Sequence, residues 1–471
     1  MYAKTWFAVK EGEYHSEPVE AMIGVRQGDP LSPALFNIFT NDIPDLFDDM
    51  CAPVLLKINR LQCLQYADDI VIMSETKEGL QQCLDKLANY CIKWEMKVNT
   101  GKTQVMVFSN KRSVAHQFTL NNCALQNVDN YKYLGCIFSN NRNFKECIEL
   151  LADKARRATF CIKKIMKNNC LSPKHLLNIF DKMIMPILTY GSEIWGGGLV
   201  KKVNKLNLGD CVPGEKIHRH FIKYVLGVHS KASNAAVMAE TGRTPVIGEV
   251  LKLFVNFSNR LDCAETDSLL QEANEVAKDL ETHKIGWWFE YKNVIKECNF
   301  QEQVYVKGCK VKQQIHGKCQ DYVLHSIENS KKLRTYTIVK NTYNYEPYLD
   351  LIKNVEQRKM LTRFRISAHD LNIERGRYTK LQIEDRKCLF CNKVEDEKHF
   401  LLVCNHYDTI RKPFLDELFK ENVNLTQLNV DNLFLYLLTN EDEICNKILG
   451  KMLAVLTNER TKKKNCVQLN C

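Results

Sequence analysis

Residues 61–75 read LQCLQYADDIVIMSE and place two adjacent carboxylates inside an otherwise apolar stretch. Strand-forming residues lie on both sides of Asp68 and Asp69, at 63–66 and at 70–73, so the pattern predicts two short strands joined by an Ala-Asp-Asp turn. Such a hairpin presents both acids at its tip on a rigid support. Carboxylate oxygens held in this way suit Mg²⁺ (or Mn²⁺). An Asp-Asp pair in a turn is common, however, so the pair alone does not establish a metal site.

A glycine-containing loop, GVRQG at 24–28, precedes a predicted helix. Arg26 and Gln27 lie between two glycines, and Gly28 lets the backbone approach a ligand closely. Ser32 is predicted to cap the helix, with a proline at the first helical position. Many loop-to-helix junctions share these features, so the loop is a weak signal for a phosphate site. The apolar residues that we expect on the buried face of the helix are Leu35, Phe36, Ile38, Phe39 and Ile43.

Three further segments follow the acidic pair. Apolar residues at helical spacing predict an amphipathic helix over 77–96 that packs on a sheet. Lys102 precedes the predicted strand TQVMVFS and could meet a triphosphate, although such a lysine is more often solvated. A short hairpin is predicted at 118–126. A strand and a tight bend are expected at Tyr133, Leu134 and Gly135.

A cluster of metal-binding residue types lies near the C-terminus, in RKCLFCNKVEDEKHFLLVCNHY. The C-x2-C-x7-H-x4-C spacing allows four ligands to close a tetrahedron around Zn²⁺, which leaves no open position and predicts a structural site. His369 and His406 are alternative ligands, and a chance grouping in a chain with 20 cysteines is the competing reading. The four predicted ligands are Cys388, Cys391, His399 and Cys404.

The composition is that of an ordinary folded protein with a basic excess, a formal charge of +10 over 471 residues. Basic residues crowd 154–167 and 358–387, which fits a polyanionic partner or a solvated helix face. The first residues lack an apolar signal region and no apolar run could span a membrane, so we expect an intracellular protein of the nucleus or cytoplasm. Aromatic residues interleave with basic ones in the helical stretch 143–240, where nucleic-acid binding and a buried bundle core both remain possible.

Taken in order, GVRQGDPLSP, LQYADDIVIMSE, VNTGKTQVMVF and YKYLG resemble the reverse transcriptases of non-LTR (LINE-type) retrotransposons. YGSEIW, AETGRTP and RKCLFC…HFLLVC are similar to the downstream part of such proteins. The resemblance is strongest over residues 24–138 and looser beyond about 140.

The resemblance implies a role for each predicted site residue. Asp68 and Asp69 match the YADD box that holds Mg²⁺, where two ions about 4 Å apart clamp both oxygens of an in-line displacement. Lys102 matches a position that neutralises the leaving group. The loop residues Arg26, Gln27 and Gly28 match the segment that positions template and nucleotide. Tyr133, Leu134 and Gly135 match the primer-grip turn, and the Cys/His cluster matches a zinc-knuckle segment thought to contact nucleic acid.

One departure from the family pattern bears on activity. The family carries a further essential aspartate and a nucleotide-covering region before the GVRQGDP loop, and residues 1–23 supply no such carboxylate. We therefore expect polymerase activity to be impaired in this sequence.

The sequence thus predicts an α+β fold with a partial polymerase palm, a helical thumb and a small zinc module. The predicted divisions are 1–110 for the palm, 111–245 for the connection and thumb, 246–380 for a helical region without a role, 381–410 for the zinc knuckle and 411–471 for a helical tail. The expected substrates are an RNA template, a DNA primer or target and deoxynucleoside triphosphates. The alternatives are a non-catalytic nucleic-acid-binding remnant and, less favoured, a protein-binding zinc module.

Overall fold

The computed structural model describes residues 5–21, 24–26, 28–109, 116–166, 171–202, 212–301 and 306–469. It divides the chain into two compact units: unit 1 comprises Met1–Asn143 and Cys263–Asp279, and unit 2 comprises Phe144–Asp262 and Leu280–Cys471. Unit 1 mixes strands and helices, whereas the described part of unit 2 is built from helices and helical turns. The mixed α and β content is as predicted, and the five predicted divisions stay a prediction. None of the helices within the described ranges is long and apolar enough to cross a membrane.

The strands are short and pair mainly as hairpins: β1 with β4, β2 with β3, β5 with β6, β7 with β8 and β12 with β13, while β10, β11 and β9 form a three-stranded sheet in that order. The strands are β1 Thr5–Phe7, β2 Lys10–Glu11, β3 Tyr14–His15, β4 Val19–Ala21, β5 Val54–Leu55, β6 Arg60–Leu61, β7 Cys63–Tyr66, β8 Asp69–Ile72, β9 Gln104–Val105, β10 Phe118–Leu120, β11 Cys123–Asn127, β12 Asn130–Tyr133 and β13 Cys136–Ser139.

The α-helices are α1 Ser32–Phe39, α2 Lys77–Lys93, α3 Lys145–Met166, α4 Pro173–Ile179, α5 Met185–Leu188, α6 Ser192–Trp195, α7 Pro213–Leu226, α8 Asn234–Thr241, α9 Val246–Asp262, α10 Leu269–Thr282, α11 Trp287–Glu297, α12 Gly308–Glu328, α13 Arg334–Val339, α14 Tyr348–Leu351, α15 Val355–Arg365, α16 Asn372–Tyr378, α17 Asp408–Glu421, α18 Val430–Thr439 and α19 Glu443–Leu469. Short 3-10 or π turns lie at Pro44–Leu46, Asp49–Cys51, Phe180–Ile184, Gly196–Lys202, Ile383–Asp385, His399–Val403, Asn405–Tyr407 and Val423–Gln427.

The amphipathic helix predicted over 77–96 is present as α2, which ends at Lys93. It is the central support of unit 1. Thr76 caps it by accepting a hydrogen bond from the Gly79 N–H at 3.0 Å. Gly79 approaches the Cys51 carbonyl so closely that an added Cβ would lie 2.5 Å from that oxygen. One side of the helix packs through Leu84 and Ala88 against the β10-β11-β9 sheet. Residues Leu87, Tyr90 and Cys91 pack with Ile43 and with the β7–β8 hairpin.

Several local predictions near the start of the chain are wrong. Ser32 is the first residue of α1 rather than its cap: the cap position is Leu31, without a side-chain hydrogen bond, and the Ser32 hydroxyl donates to the Arg26 carbonyl at 2.6 Å. Ile38 and Phe39 are 74% and 42% exposed, so the expected apolar stripe of α1 is only partly buried. Helical spacing determines which residues share a face, but it does not determine whether another element covers that face.

The predicted strand TQVMVFS is also shorter than expected. Hydrogen bonding to β11 includes only Gln104 and Val105 of β9. The apolar residues beyond Val105 are not in a ladder, although Val107 still packs against the cluster that contains α2 and the sheet. The hairpin predicted at 118–126 is confirmed as β10 and β11.

A buried ionic network joins four helices of unit 2. Glu240 of α8 accepts hydrogen bonds from the hydroxyls of Tyr336 and Tyr348, both at 2.7 Å, and from Arg365 Nε at 2.8 Å. Arg365 also donates to Glu346 at 2.7 Å. Burial alone would raise the pKa of Glu240, but Arg365 and the tyrosine hydroxyls hold it below its usual value. The carboxylate is therefore charged and fully compensated inside the unit.

We expect Glu240→Ala to lower the free energy of unfolding of unit 2 by about 3–5 kcal/mol, because it leaves the buried Arg365 and two hydroxyls without their shared acceptor. Chemical denaturation followed by circular dichroism measures the change. Glu356→Ala is the matched control, since Glu356 pairs with Lys359 on the exposed side of α15 at 2.8 Å and should cost at most about 1 kcal/mol. Equal losses in the two variants would contradict a structural role for the network.

Candidate active site and metal centre

The acidic pair lies at the tip of a regular antiparallel hairpin, as predicted. The register pairs Cys63 with Ile72 and Tyr66 with Asp69, which leaves Ala67 and Asp68 as a two-residue turn. Asp69 therefore begins the second strand instead of completing the turn. Both carboxylates are exposed to solvent.

The turn contains a backbone conformation that is unusual for its residue. Ala67 has a φ of 54°, in the left-handed region. Two-residue hairpin loops favour positive φ at their central positions because this twist matches the flanking strands, and glycine usually supplies it. The cost for an L-residue with a Cβ is roughly 1–2 kcal/mol.

The hairpin is held from behind by the core of unit 1. Cys63, Ile70 and Ile72 are partly buried against the cluster that Leu87 and Cys91 of α2 help to form. The Met73 N–H donates to the Gln62 carbonyl at 2.7 Å and continues the ladder away from the tip. The carboxylates thus project from a supported element, as a site for a hard cation requires.

A second tight hairpin lies within electrostatic reach of the acidic pair. Tyr133 of β12 pairs with Cys136 of β13, and Leu134 and Gly135 form the turn with φ values of 45° and 86°. Positive φ at both positions is typical of a type I′ turn. Burial, and then the negative charge of Asp69, raise the pKa of Tyr133. The predicted strand and bend at 133–135 are therefore confirmed, and the phenol of Tyr133 lies within electrostatic reach of Asp69.

The other residues predicted for this site lie in the loop before α1 and in the turn before β9. Gln27 lies outside the described residues. Gly28 has a φ of 87°, which glycine adopts without strain, and Arg26 is exposed. Lys102 is exposed in the turn before β9, and its backbone N–H donates to the Asn99 carbonyl at 3.0 Å. The roles of these residues toward template, nucleotide and leaving group stay predictions.

The four predicted metal ligands are brought together in unit 2, and their potential ligand atoms all lie within 4.8 Å of one another. The Sγ atom of Cys404 is 3.8 Å from the Sγ atoms of Cys388 and Cys391, and Cys391 Sγ is 3.2 Å from His399 Nε2. A tetrahedron with Zn–S bonds of about 2.3 Å places its sulfur atoms about 3.8 Å apart. The donor set and its spacing therefore fit Zn²⁺.

The protonation preferences of these groups explain why a cation suits them. Burial raises the pKa of Cys388, and burial with the neighbouring thiols raises the pKa of Cys404 to about 12. Burial lowers the pKa of His399, which favours the neutral imidazole that binds metals. A divalent cation would stabilise thiolates that burial otherwise disfavours.

The two alternative histidines have other contacts. His369 lies 2.8 Å from a carboxylate oxygen of Glu397 through Nε2. The imidazole of His406 stacks on Phe390 with ring centroids 3.6 Å apart. Of the histidines that the sequence offered for the cluster, His399 is therefore the one that the structure places with the cysteines.

Sequence reasoning missed the acidic residues that attach the Cys/His segment to the surrounding helices. Glu395 accepts hydrogen bonds from Arg460 of α19 at 2.7 Å, and Glu397 accepts from Arg334 of α13 at 2.7 Å. Both carboxylates are almost completely buried. The acidic run VEDE between the ligands was the available signal, because consecutive acids need cationic partners if they are buried.

Comparisons with known proteins identify the class of unit 1. Residues 2–138 match the reverse transcriptase (RNA-dependent DNA polymerase) family. The match ends five residues before the end of the first segment of unit 1, at residue 143. This part of the chain is therefore similar to reverse transcriptase domains.

The relatives confirm the more specific resemblance to non-LTR retrotransposon polymerases. The chain is 29% identical to an RNA-directed DNA polymerase from the mobile element jockey of Drosophila funebris, over 39% of this chain and 20% of the relative. It is 25% identical to a probable RNA-directed DNA polymerase from transposon BS of Drosophila melanogaster, over 45% of this chain and 25% of the relative. A Pol polyprotein from the type-1 retrotransposable element R2 of Nasonia vitripennis is 31% identical, over 28% and 14%. The chain thus covers no more than a quarter of each of these relatives.

We expect Ala67→Gly to raise the free energy of unfolding of unit 1 by up to about 1 kcal/mol. The substitution removes the strain of the left-handed backbone, which costs about 1–2 kcal/mol for alanine. This gain exceeds the entropic cost of ordering a glycine, about 0.5–1 kcal/mol. Ala124→Gly in the exposed part of β11 is the control and should be destabilising, because no positive φ is relieved there. Denaturant titration of both variants measures the difference, and a loss of stability in Ala67→Gly would refute the strained turn.

Proposed function

We propose that the chain is the polymerase part of a non-LTR retrotransposon reverse transcriptase, which adds deoxynucleotides to a primer 3′ end on an RNA template. The β7–β8 hairpin carries the proposal. It presents Asp68 and Asp69 at an exposed tip, on a support fixed by α2, within the segment that matches the family. The family match and the relatives' printed activities support the reaction class.

In this proposal Asp68 and Asp69 hold Mg²⁺ or Mn²⁺, which supplies positive charge where the phosphoryl group is transferred. Within the described residues, neither carboxylate forms a salt bridge that would compete with a metal ion. The turn at 133–135 acts as the primer grip, which the proximity of Tyr133 to Asp69 supports. Lys102 serves the triphosphate, unit 1 is the palm, and α3 with the helices that follow it is the thumb.

Templated primer extension tests the activity directly. Incorporation of deoxynucleotides on an RNA template, reduced as the sequence predicts, should require Mg²⁺, and we expect Asp68→Asn to abolish it because the neutral amide is a much weaker ligand for a hard cation. Asp85→Asn is the matched control: Asp85 is an exposed acid on α2 and accepts a hydrogen bond from Gln81. The Asp85→Asn substitution should leave incorporation unchanged.

The same assay separates the polymerase from the non-catalytic alternative. Incorporation that survives Asp68→Asn would contradict the assigned site. Heteroduplex binding without any incorporation would favour a nucleic-acid-binding protein, in agreement with the sequence-based expectation of impaired activity. Binding in that case should persist in Asp68→Asn and weaken steeply with salt.

We further propose that Cys388, Cys391, His399 and Cys404 hold a structural Zn²⁺. The spacing of the four donor atoms and their burial support this assignment. Four protein ligands complete a tetrahedron, so the ion would contribute folding free energy rather than an open catalytic position. Because Glu395 and Glu397 anchor the same segment to α19 and α13, the ion would stabilise the surrounding helices as well.

We expect Cys404→Ser to remove bound zinc and to lower the melting temperature of the purified chain, because structural zinc contributes on the order of 10 kcal/mol to folding. Elemental analysis and thermal unfolding with and without a chelator provide the measurement. Cys309→Ser, at an exposed cysteine of α12, should change neither quantity. A zinc content that is equal in both variants would rule out this ligand set.

A further inference from the structure

The turn between α7 and α8, residues 227–232, is surrounded by cations that donate to backbone carbonyls. Lys223 Nζ lies 2.6 Å from the Ser230 carbonyl oxygen, and Arg363 Nε lies 2.7 Å from the Gly227 carbonyl oxygen. Lys332 Nζ lies 3.5 Å from the carbonyl oxygen of Lys231. These acceptors carry no net charge, so the positive charge of the donors is not neutralised by them.

More positive charge surrounds the same turn. The ammonium group of Lys163 lies 4.8 Å from the centre of the Tyr224 ring, a cation–π contact that also leaves the charge in place. His229 and Lys231 are exposed on the turn. After burial, the charges of Lys332, Lys223, Arg363 and Lys231 lower the pKa of His229. We refer to the set Lys163, Lys223, His229, Lys231, Lys332 and Arg363 as the cation cluster.

No carboxylate of the described part of the chain forms a salt bridge with a member of the cation cluster. Glu374 influences Lys332, but it already bridges Arg334 at 3.0 Å and Arg377 at 3.3 Å. Burial lowers the pKa of Lys163, and burial with Arg219 and Lys332 lowers the pKa of Lys223 to about 8. Glu356 influences Arg363, but it pairs with Lys359 at 2.8 Å. The cluster is thus concentrated, partly desolvated and without a salt-bridge partner among the described carboxylates.

Such a cluster reduces the stability of the free protein, and an anion that binds there relieves the repulsion. The cations come from α3, from α7, from the turn, from the segment that precedes α13, and from α15. They therefore form an extended set rather than a single pocket for one phosphate. Lysine and arginine both bind phosphate, and the exposed side of Tyr224 offers an aromatic face among them. These properties match a chain of phosphodiesters more closely than an isolated anion.

We propose that the cation cluster binds the phosphate backbone of a nucleic acid. The proposal rests on the proposed function, since the template and primer supply the polyanion. It assigns a role to Lys332, which lies in the division 246–380 predicted without a role, and it adds Arg363 from the basic stretch 358–387.

The test is the salt dependence of binding, measured by the anisotropy of a labelled RNA–DNA hybrid in the Asp68→Asn background. The variant combines Lys163→Gln, Lys231→Gln and Lys332→Gln. We expect the slope of log K against log salt to fall by about two units, since each lost phosphate contact removes about 0.7–0.9, and Kd to rise about tenfold in low salt.

Two matched variants control for net charge and folding. The first removes three lysines that have carboxylate partners, through Lys252→Gln, Lys447→Gln and Lys462→Gln. The second keeps the charge of the cluster with Lys163→Arg, Lys231→Arg and Lys332→Arg. Both should keep most of the slope, and all variants should share the circular dichroism spectrum and melting temperature of the parent.

Three results would overturn the proposal. The first is an unchanged slope in the glutamine variant of the cluster. The second is an equal decrease of the slope in the variant that removes the three paired lysines. The third is loss of binding to inorganic phosphate or a deoxynucleoside triphosphate while hybrid binding stays intact, which would indicate a site for a small anion. Because binding is measured without turnover, a failure of primer extension alone contradicts the polymerase assignment and leaves this inference standing.

Discussion

The pairing of buried carboxylates with guanidinium groups is the interaction on which the helical unit depends. Glu240 with Arg365, Glu395 with Arg460 and Glu397 with Arg334 each place an acid with little or no exposure beside a cation from a distant part of the chain. Removing one partner strands the other charge away from water, which is far more costly than losing an exposed pair. These pairs therefore connect α8, α13, α15, α19 and the Cys/His segment into one cooperative structure, and the proposed metal binding by that segment would be coupled to the packing of the helices.

Against this background, two groups of charges are conspicuous because the described residues do not neutralise them. Asp68 and Asp69 form no salt bridge at the tip of the β7–β8 hairpin, and the cations around the 227–232 turn donate mainly to carbonyl oxygens. The proposals above assign external partners to both groups, a metal ion to the acids and phosphates to the cations.

Local patterns were sufficient to predict the parts of the sites that depend on short-range geometry. The β7–β8 hairpin follows from strand formers on both sides of a turn, and the Cys/His cluster follows from spacing that a short loop and one helical turn can close. The buried network could not be predicted in this way, because Glu240 and Arg365 are 125 residues apart in sequence. The cation cluster likewise joins Lys163 to Arg363 through folding alone. Ile38 and Phe39 show the converse: their helical spacing was correct, but their burial required a covering element that the pattern does not specify.

Helix α2 explains how the acidic tip can be both exposed and precisely held. Its Leu84 and Ala88 belong to the core of the three-stranded sheet, whereas its Leu87 and Cys91 belong to the core beneath the hairpin. Leu87 lies three residues after Leu84, and Cys91 lies three residues after Ala88, so the two sets are neighbours on one helix and cannot shift independently. The backbone of α2 therefore transmits the packing of the sheet to the strands that carry Asp68 and Asp69. In this arrangement the carboxylates face solvent while the strands behind them are packed, as the proposed metal site requires.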